Sequence, residues 1–275
     1  MRIGHFQVAI KTDAFPANLA TFVEGLRRAD RDRVEIVCFP ECFLTGCARS
    51  AEHAREIGLA ADSPQLMQVL DHTSRFDATA VVGFGELRGA DYYNSAAVVH
   101  RGHLLGIYRK CTAYETWEKQ GREFPVFRRG DVTFGVVICS DGGYIEPARI
   151  LALKGARILF APHFNYIGAR GLIGHFQHVR ADHTARAVEN DVWFVRGSNV
   201  VLDRDPGLSY DGVGYGDSYV VDPFGEIVVR SRQYEEDFLI ADVSLTLARD
   251  NNCKGGRSLW SFREFGKLLA DAAGE

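Results

Sequence analysis

The stretch TFGVVICSDGGYIEPAR, residues 133–149, changes in amino-acid composition halfway along. Its first part, 133–139, is apolar and rich in β-branched side chains, which is typical of a strand buried on both faces. A pair of glycines then widens the choice of backbone conformations, and a helix is predicted from about Glu146 to Lys154. The stretch therefore predicts a buried strand that ends at Cys139 and turns into a helix, as in a layered α/β fold.

Apolar patterns on both sides of this stretch continue the alternation of strands and helices. Turns are predicted at Arg101-Gly102 and at Pro223–Gly225, where glycine lets the chain reverse. Two sheets packed face to face with helices outside accommodate this many strands, although periodicity alone leaves the number of layers open. The predicted strands are 2–9, 34–39, 78–84, 94–100, 103–108, 157–161, 192–197, 216–222, 226–230 and 237–243, and the predicted helices are 15–29, 63–75, 172–190 and one from about 259.

Composition and charge narrow the class of protein. The chain has no repeat, low-complexity tract or linker, so residues 1–275 predict a single domain. Its 32 basic and 36 acidic residues give a net charge of −4, without the basic excess that nucleic-acid binding favours. No segment approaches the apolar length of a membrane span. The opening MRIGHFQVAI lacks the features of a secretory signal, so we expect a cytoplasmic protein with free thiols.

Motifs for metals and cofactors are not evident. One group of three cysteines contains no C-x-x-C pair, which favours small buried thiols over a zinc site. Three histidines of the predicted helix 172–190 lack the H-E-x-x-H spacing, which favours a solvated helix face. Phosphate-loop and dinucleotide fingerprints are also missing, so we expect neither a metal nor a cofactor. The two groups are Cys38, Cys42 and Cys47, and His175, His178 and His183.

Three chemically active residues each follow an apolar strand. They are Glu41 in VEIVCFPECFLTG, Lys110 in LLGIYRKCTAYE, and Cys139. Taken singly, such a glutamate is most often a loop residue or helix cap, such a lysine a solvated strand end, and such a cysteine an inert buried thiol. Only their combination points to nucleophilic catalysis.

Together these segments resemble a known family. FPECFLTG, YRK and the strand ending ICSD, followed by Tyr144 and Glu146, are similar to the three signature blocks of the nitrilase superfamily, the carbon–nitrogen hydrolases. ADHTARAVEN at 181–190 and GDSYVVDPFGEIV at 216–228 resemble further segments of that family. The resemblance implies an α-β-β-α sandwich, two mixed sheets face to face with helices outside.

The resemblance also implies a Glu–Lys–Cys triad of Glu41, Lys110 and Cys139. Cys139 would attack as the nucleophile, and Glu41 would move the proton. The ammonium of Lys110 would lower the pKa of the thiol and, with the backbone N–H of Ser140, stabilise the oxyanion. Together, these roles predict hydrolysis through a thioester.

Members of this family carry a second glutamate between the lysine and the cysteine. The segment REFPVFRRGD at 122–131 resembles the one that precedes the cysteine strand in the family, which favours Glu123. Glu115 and Glu118 are the alternatives, because the stretch after Lys110 departs from the usual pattern.

Residues around the triad point to the class of substrate. Ser140-Asp141 stands where nitrile specialists usually carry Trp-Glu, which favours a small amide or a carbamoyl compound as the substrate over a nitrile. Substrate contacts are expected from Ser140, Tyr144, His163 and Phe164. A Cys–His hydrolase and a catalytically silent scaffold that binds a protein partner remain as alternatives.

The resemblance further implies self-association. We expect a homodimer or a larger homo-oligomer, with the segment from about Lys254 in the contact between copies. Light scattering tests this expectation, and a strict monomer at micromolar concentration would count against it.

Overall fold

The computed structural model describes residues 1–201, 212–246 and 262–274; the first part contains both helices and strands, the second contains strands, and the third is a single helix. The helices are α1 (Phe15–Arg31), α2 (Ala51–Ile57), α3 (Pro64–Thr73), α4 (Ile145–Leu153), α5 (Leu172–Asn190) and α6 (Phe262–Ala273), with 3₁₀ turns at Cys139–Gly143 and Ala169–Gly171. The strands are β1 (Arg2–Gln7), β2 (Ile36–Cys38), β3 (Thr79–Arg88), β4 (Asp91–His100), β5 (His103–Arg109), β6 (Val126–Arg129), β7 (Val132–Val136), β8 (Ile158–Pro162), β9 (Ile167–Gly168), β10 (Trp193–Gly197), β11 (Val200–Val201), β12 (Gly212–Tyr215), β13 (Tyr219–Val221), β14 (Ile227–Arg230) and β15 (Asp237–Asp242).

Two six-stranded mixed sheets form the centre of the described structure. The first has the strand order β15-β1-β2-β3-β4-β5, and the second has the order β14-β13-β10-β8-β7-β6. In each sheet the inner strands pair in parallel, as β1, β2 and β3 do, while antiparallel strands complete the edges. A smaller sheet of β11, β12 and β9 lies apart from these two.

Three apolar layers hold the sheets and helices together. Val81 of the first sheet and Phe134 of the second share the core between the sheets. Leu26 of α1 packs in a second core on the outer face of the first sheet. Leu151 of α4 and Ala187 of α5 pack in a third core on the outer face of the second sheet. The predicted α-β-β-α sandwich is therefore confirmed.

Most predicted elements appear within a few residues of their expected positions. Helix α5 spans 172–190 as predicted, and the turn between β4 and β5 places Arg101 and Gly102 in the left-handed region, at φ of 46° and 82°. Helix α2, strand β6 and the small sheet were not predicted, because these short segments carry too few apolar residues to show a period. Part of the C-terminal prediction, residues 254–261, lies outside the described residues.

The strand predicted over 133–139 ends early, at Val136. The next backbone N–H groups still find partners: that of Val137 donates to the Phe160 carbonyl, and that of Ile138 donates to Asp141 Oδ2. Cys139 then adopts a φ of 48° and begins the 3₁₀ turn. Apolar residues continue past the point where the strand leaves the sheet, so the sequence pattern overestimates the length of the strand.

Contact between β1 and β10 depends on a glycine. Any Cβ on Gly197 would lie 2.2 Å from Nδ1 of His5, which is fully buried and donates from Nε2 to the Ser198 carbonyl at 2.9 Å. Gly197→Ala is therefore expected to lower the free energy of unfolding by about 1–3 kcal/mol, the usual cost of overpacking a core. Urea unfolding measures this. Gly168→Ala is the matched control, since its Cβ meets open space; equal losses in both variants would contradict the packing argument.

No helix in the described part of the chain is long and apolar enough to cross a membrane.

Candidate active site

Glu41, Lys110 and Cys139 lie together in a cavity of about 700 Å³. Each is carried there by the end of a strand: Glu41 follows β2, Lys110 follows β5, and Cys139 follows β7. The first two strands belong to one sheet and the third belongs to the other. The face-to-face packing of the sheets thus brings together three residues that are far apart in sequence.

The carboxylate of Glu41 is held on both of its oxygens. Oε1 accepts from Nζ of Lys110 at 2.8 Å and from Nδ2 of Asn94 at 2.7 Å. Oε2 accepts from the backbone N–H of Phe164 at 2.7 Å. Glu41 and Lys110 are each only 4% exposed. A buried carboxylate needs such partners, and here they also fix its orientation in the cavity.

Lys110 keeps its charge in spite of its burial. Burial by itself lowers the pKa of this ammonium, but the negative charge of Glu41 and the hydrogen bond to Glu41 raise it, and the resulting pKa lies well above the ordinary value for lysine. The side chain is therefore a fixed positive charge beside the cysteine. A fixed ammonium suits the stabilisation of an oxyanion.

The thiol of Cys139 behaves differently from the sequence-based expectation. Burial raises its pKa, and the Glu41 carboxylate raises it again, to about 12. Lys110 does lower the pKa, as predicted, but the two opposing effects are larger. Cys139 is therefore a neutral thiol at physiological pH, and its proton needs a base at the moment of attack.

The backbone at Cys139 is held in an uncommon conformation. A φ of 48° lies in the left-handed region, which costs a non-glycine residue on the order of 1 kcal/mol. The following residues form a 3₁₀ turn, and Cys139 is partly exposed to the cavity rather than buried in the sheet. Such a turn at the end of a strand presents the side chain to a substrate.

Hydrogen bonds to Asp141 connect this turn to the segment on either side of Lys110. Its Oδ1 accepts from the backbone N–H of Thr112 at 2.9 Å and from the hydroxyl of Thr112 at 2.6 Å. Oδ2 accepts from the Tyr108 hydroxyl at 2.8 Å and from the Ile138 N–H at 3.0 Å. This role of Asp141 cannot be predicted from the sequence, because hydrogen bonds between side chains of different sheets leave no pattern in the local sequence.

The residues predicted to contact substrate all line the cavity. The hydroxyl of Ser140 lies 2.7 Å from that of Thr112, and His163 donates from Nδ1 to the Ala161 carbonyl at 2.7 Å. Tyr144 is 55% exposed. Phe164 contributes its backbone N–H to Glu41, a role that side-chain patterns do not predict.

The three candidates for the second glutamate lie in different places relative to the triad. Glu118 lines the cavity with the triad, whereas Glu123 lines a separate cavity of about 490 Å³, which Glu118 also borders. The backbone N–H of Gly121 donates to the Lys110 carbonyl at 2.7 Å, so the chain between them loops back to the lysine. Glu118 lies on this loop beside the triad, and Glu123 lies beyond it. The structure thus places Glu118, and not the preferred Glu123, in the cavity of the triad.

Glu118 is electrostatically coupled to the triad. Burial raises the pKa of its carboxyl and the Glu41 charge raises it further, while Lys110 and hydrogen bonds from backbone N–H groups lower it; the net pKa lies above the ordinary value. Its Oε2 accepts from the N–H of Tyr114 at 3.0 Å. Glu115, the other alternative, also lines the cavity.

One face of α5 forms a wall of the cavity. His175, His178, Asp182 and His183 line it, and their positions i, i+3, i+7 and i+8 belong to a single helix face. His183 is buried beside the Tyr219 hydroxyl, and burial holds its pKa well below the ordinary value. The predicted solvated face is therefore wrong for His183. The helical spacing places these residues on one face of α5, but it does not show whether that face borders a pocket or solvent.

Potential metal ligands do not cluster. Among the described residues, no three histidine, cysteine or acidic side chains are placed to hold a metal ion. On the exposed part of the helix wall, Nε2 of His178 lies 3.2 Å from Oδ2 of Asp182.

The raised pKa of Cys139 predicts a distinctive pH profile for alkylation. Iodoacetamide should label Cys139 slowly at neutral pH, and the rate should keep rising without a plateau up to at least about pH 10, because the thiolate is the reactive form. Peptide-resolved mass spectrometry follows this residue separately from the other cysteines. A plateau at about pH 7, as a thiolate paired with an imidazolium would give, contradicts the prediction.

The chain is similar in sequence to known proteins. The family model described as carbon–nitrogen hydrolase matches residues 2–251. The chain is 30% identical over 234 residues to a nitrilase of Pyrococcus abyssi, covering 82% of each protein. It is also 30% identical over 239 residues to the glutamine-dependent NAD(+) synthetase of Thermotoga maritima, covering 84% of this chain and 40% of that protein. The chain thus spans less than half the length of this second relative.

A solved structure supports the fold. The amidase of Nesterenkonia AN1 from the nitrilase superfamily, solved as a cysteine-to-alanine variant, superposes with a TM-score of 0.75 at 19% identity, covering 98% of this chain and 97% of that one. The resemblance to the nitrilase superfamily drawn from the signature blocks is confirmed by the family model and by the nitrilase relative.

Proposed function

The chain belongs to the carbon–nitrogen hydrolase family, and on that premise we propose that it hydrolyses a small linear amide to a carboxylate and ammonia through a thioester on Cys139. The observation that carries the proposal is the buried Glu41–Lys110 pair, 2.8 Å apart, beside a neutral thiol. The thiol needs a base, and the pair supplies one together with a fixed positive charge.

Acylation would use each member of the triad. Sγ of Cys139 attacks the amide carbon while its proton passes to Glu41. Nζ of Lys110 and the N–H of Ser140 stabilise the oxyanion that forms. The C–N bond then breaks, and Glu41 returns the proton to the leaving nitrogen, which departs as ammonia.

In deacylation, Glu41 would again act first as a base and then as an acid. The carboxylate takes a proton from water, and the resulting hydroxide attacks the thioester carbonyl. The C–S bond breaks, Cys139 recovers its proton from Glu41, and the acid is released. Amide and water are thus converted to acid and ammonia, with no other reactant.

Glu118 is proposed as the second glutamate of this site. It lines the cavity with the triad, and its carboxyl interacts with both Lys110 and Glu41. Because its pKa is raised, it holds a proton more readily than an ordinary glutamate. In this position it would hold the amide or the attacking water against the triad.

Two further classes of substrate would use the same triad, and one alternative mechanism would use a different base. An N-carbamoyl compound would pass through the same steps and release carbon dioxide as well, and a nitrile would be attacked by the same thiol. A Cys–His mechanism is less well supported, because burial holds the pKa values of His163 and His183 well below the ordinary value, which makes them poor bases. A silent scaffold is disfavoured by an intact and fully bonded Glu–Lys pair.

Ammonia release from a panel of substrates tests the proposal. The panel contains small aliphatic amides, ω-amides, N-carbamoyl compounds and nitriles, each assayed with the wild type and with Cys139→Ala. Cys38→Ala is the matched control, since this cysteine lies in the core between the sheets and not in the cavity. Turnover lost only in Cys139→Ala supports the proposal. Turnover retained in Cys139→Ala overturns it.

A further inference from the structure

The residues that line the catalytic cavity carry more negative than positive formal charge. Among the described lining residues, Lys110 is the only lysine or arginine, and it is paired with Glu41 at 2.8 Å. The other acidic residues of the lining are Glu115, Glu118 and Asp182. Outside the triad, the formal charges of the described lining are therefore negative.

The buried histidines of the cavity do not offset this charge. Burial holds the pKa values of His163 and His183 well below the ordinary value, and it lowers that of His175 to about 4. These three rings are uncharged at neutral pH. Because the triad makes this cavity the place where substrate binds, the charge of its lining favours a cationic substrate over an anionic one.

Asp182 of α5 lies against the turn that carries the nucleophile. A Cβ on Gly143, the last residue of the 3₁₀ turn that begins at Cys139, would lie 3.5 Å from Oδ2 of Asp182. The side chain of Asp182 is 24% exposed, and it contacts the largely exposed His178. An ion pair so open to solvent contributes little, so a charged group of the substrate can replace it.

Aromatic side chains provide a second feature that favours a cation. Tyr144 directly follows Gly143, is exposed and lines the cavity. Tyr114, also exposed, lines the cavity on the segment after Lys110. The faces of aromatic rings attract ammonium groups. A carboxylate and aromatic rings that border one cavity are together suited to a protonated amine.

We propose that the substrate is an amide or carbamoyl compound that carries a protonated amine away from the bond to be cleaved, and that the carboxylate of Asp182 binds this ammonium group. This inference rests on the proposed function and narrows its substrate class. The triad acts on the carbonyl group, and Asp182 selects the far end of the molecule. A carboxylate at that end meets negative charge and binds less well.

A purely structural role is the alternative for Asp182. In that role it would only hold α5 against the turn, and its loss would lower activity on every substrate by the same factor. Binding of an ammonium group instead depends on the charge of the substrate. The ratio of kcat/KM between substrates of different charge therefore separates the two roles.

The test compares kcat/KM for three amides of equal chain length: ω-aminohexanamide with a terminal ammonium, uncharged hexanamide, and adipamic acid with a terminal carboxylate. In the wild type we expect ω-aminohexanamide to be preferred over adipamic acid by at least about tenfold. Asp182→Asn should lower the ratio of ω-aminohexanamide to hexanamide by about tenfold. A wild-type preference for adipamic acid, or an unchanged ratio in Asp182→Asn, overturns the proposal.

Charge reversal provides a variant whose effect cannot come from damage to the fold. Asp182→Lys should raise kcat/KM for adipamic acid relative to hexanamide by about tenfold, because the introduced ammonium attracts the carboxylate. Asp71→Asn is the matched control, since it removes the same charge from α3, outside the cavity, and should leave every ratio at the wild-type value. Failure of the wider function is recognised separately, because all three amides would then lack Cys139-dependent turnover in the wild type.

Discussion

Glu41→Gln is expected to lower kcat/KM for the amide substrate by about 100- to 10,000-fold, the usual contribution of general acid–base catalysis. The thiol of Cys139 has a pKa of about 12 and keeps its proton until a base removes it. Glutamine preserves the shape and the contact with Asn94 but takes up no proton. Steady-state kinetics of ammonia release measure the loss.

The same variant should change the thiol in the opposite direction. The Glu41 charge is one of the causes that raise the pKa of Cys139, so its removal lowers that pKa, and alkylation should then reach its plateau at a lower pH than in the wild type. Glu123→Gln is the matched control, since Glu123 lies outside the cavity and should retain activity within about twofold. Near-normal activity in Glu41→Gln would contradict its role as the base.

Lys110→Met is expected to lower kcat/KM by about 100- to 1000-fold, the usual cost of losing one oxyanion donor. It should also destabilise the fold by about 3–5 kcal/mol, because it leaves the buried Glu41 carboxylate without its cation. Urea unfolding and steady-state kinetics measure the two effects separately.

A double variant separates stability from catalysis. Glu41→Gln combined with Lys110→Met removes both charges, so it should regain much of the stability that Lys110→Met loses. Its activity should stay as low as that of the worse single variant, because both groups serve the same step. If the double variant is no more stable than Lys110→Met, the buried pair is not the source of the destabilisation.

The fold and the triad were accessible from sequence for a physical reason. Strands buried on both faces produce long apolar runs, and Glu41, Lys110 and Cys139 each follow such a run. Signature blocks around them resembled a known family. Both patterns lie within short stretches of the chain, so they can be recognised from the sequence without a structure.

What the sequence left open depends on distance through space. The positions of Glu118 and Glu123 relative to the triad follow from the hydrogen bond from Gly121 to the Lys110 carbonyl, which turns the loop back to the triad. The pKa of Cys139 is decided by the balance among burial, Glu41 and Lys110, and residue identities alone do not give its sign.

The wall formed by α5 shows the same limit. Spacing places His175 and His183 on one helix face, but only the packing of α5 against the second sheet makes that face part of the cavity.

The central claim is that Cys139 carries the acyl group during hydrolysis. The most direct measurement adds hydroxylamine to the wild type and to Cys139→Ala during turnover of the preferred amide, and quantifies both ammonia and hydroxamate. A thioester intermediate predicts hydroxamate together with ammonia in the wild type, and neither product in Cys139→Ala. Ammonia released by Cys139→Ala at the wild-type rate, or by the wild type with no hydroxamate at any hydroxylamine concentration, would contradict the account.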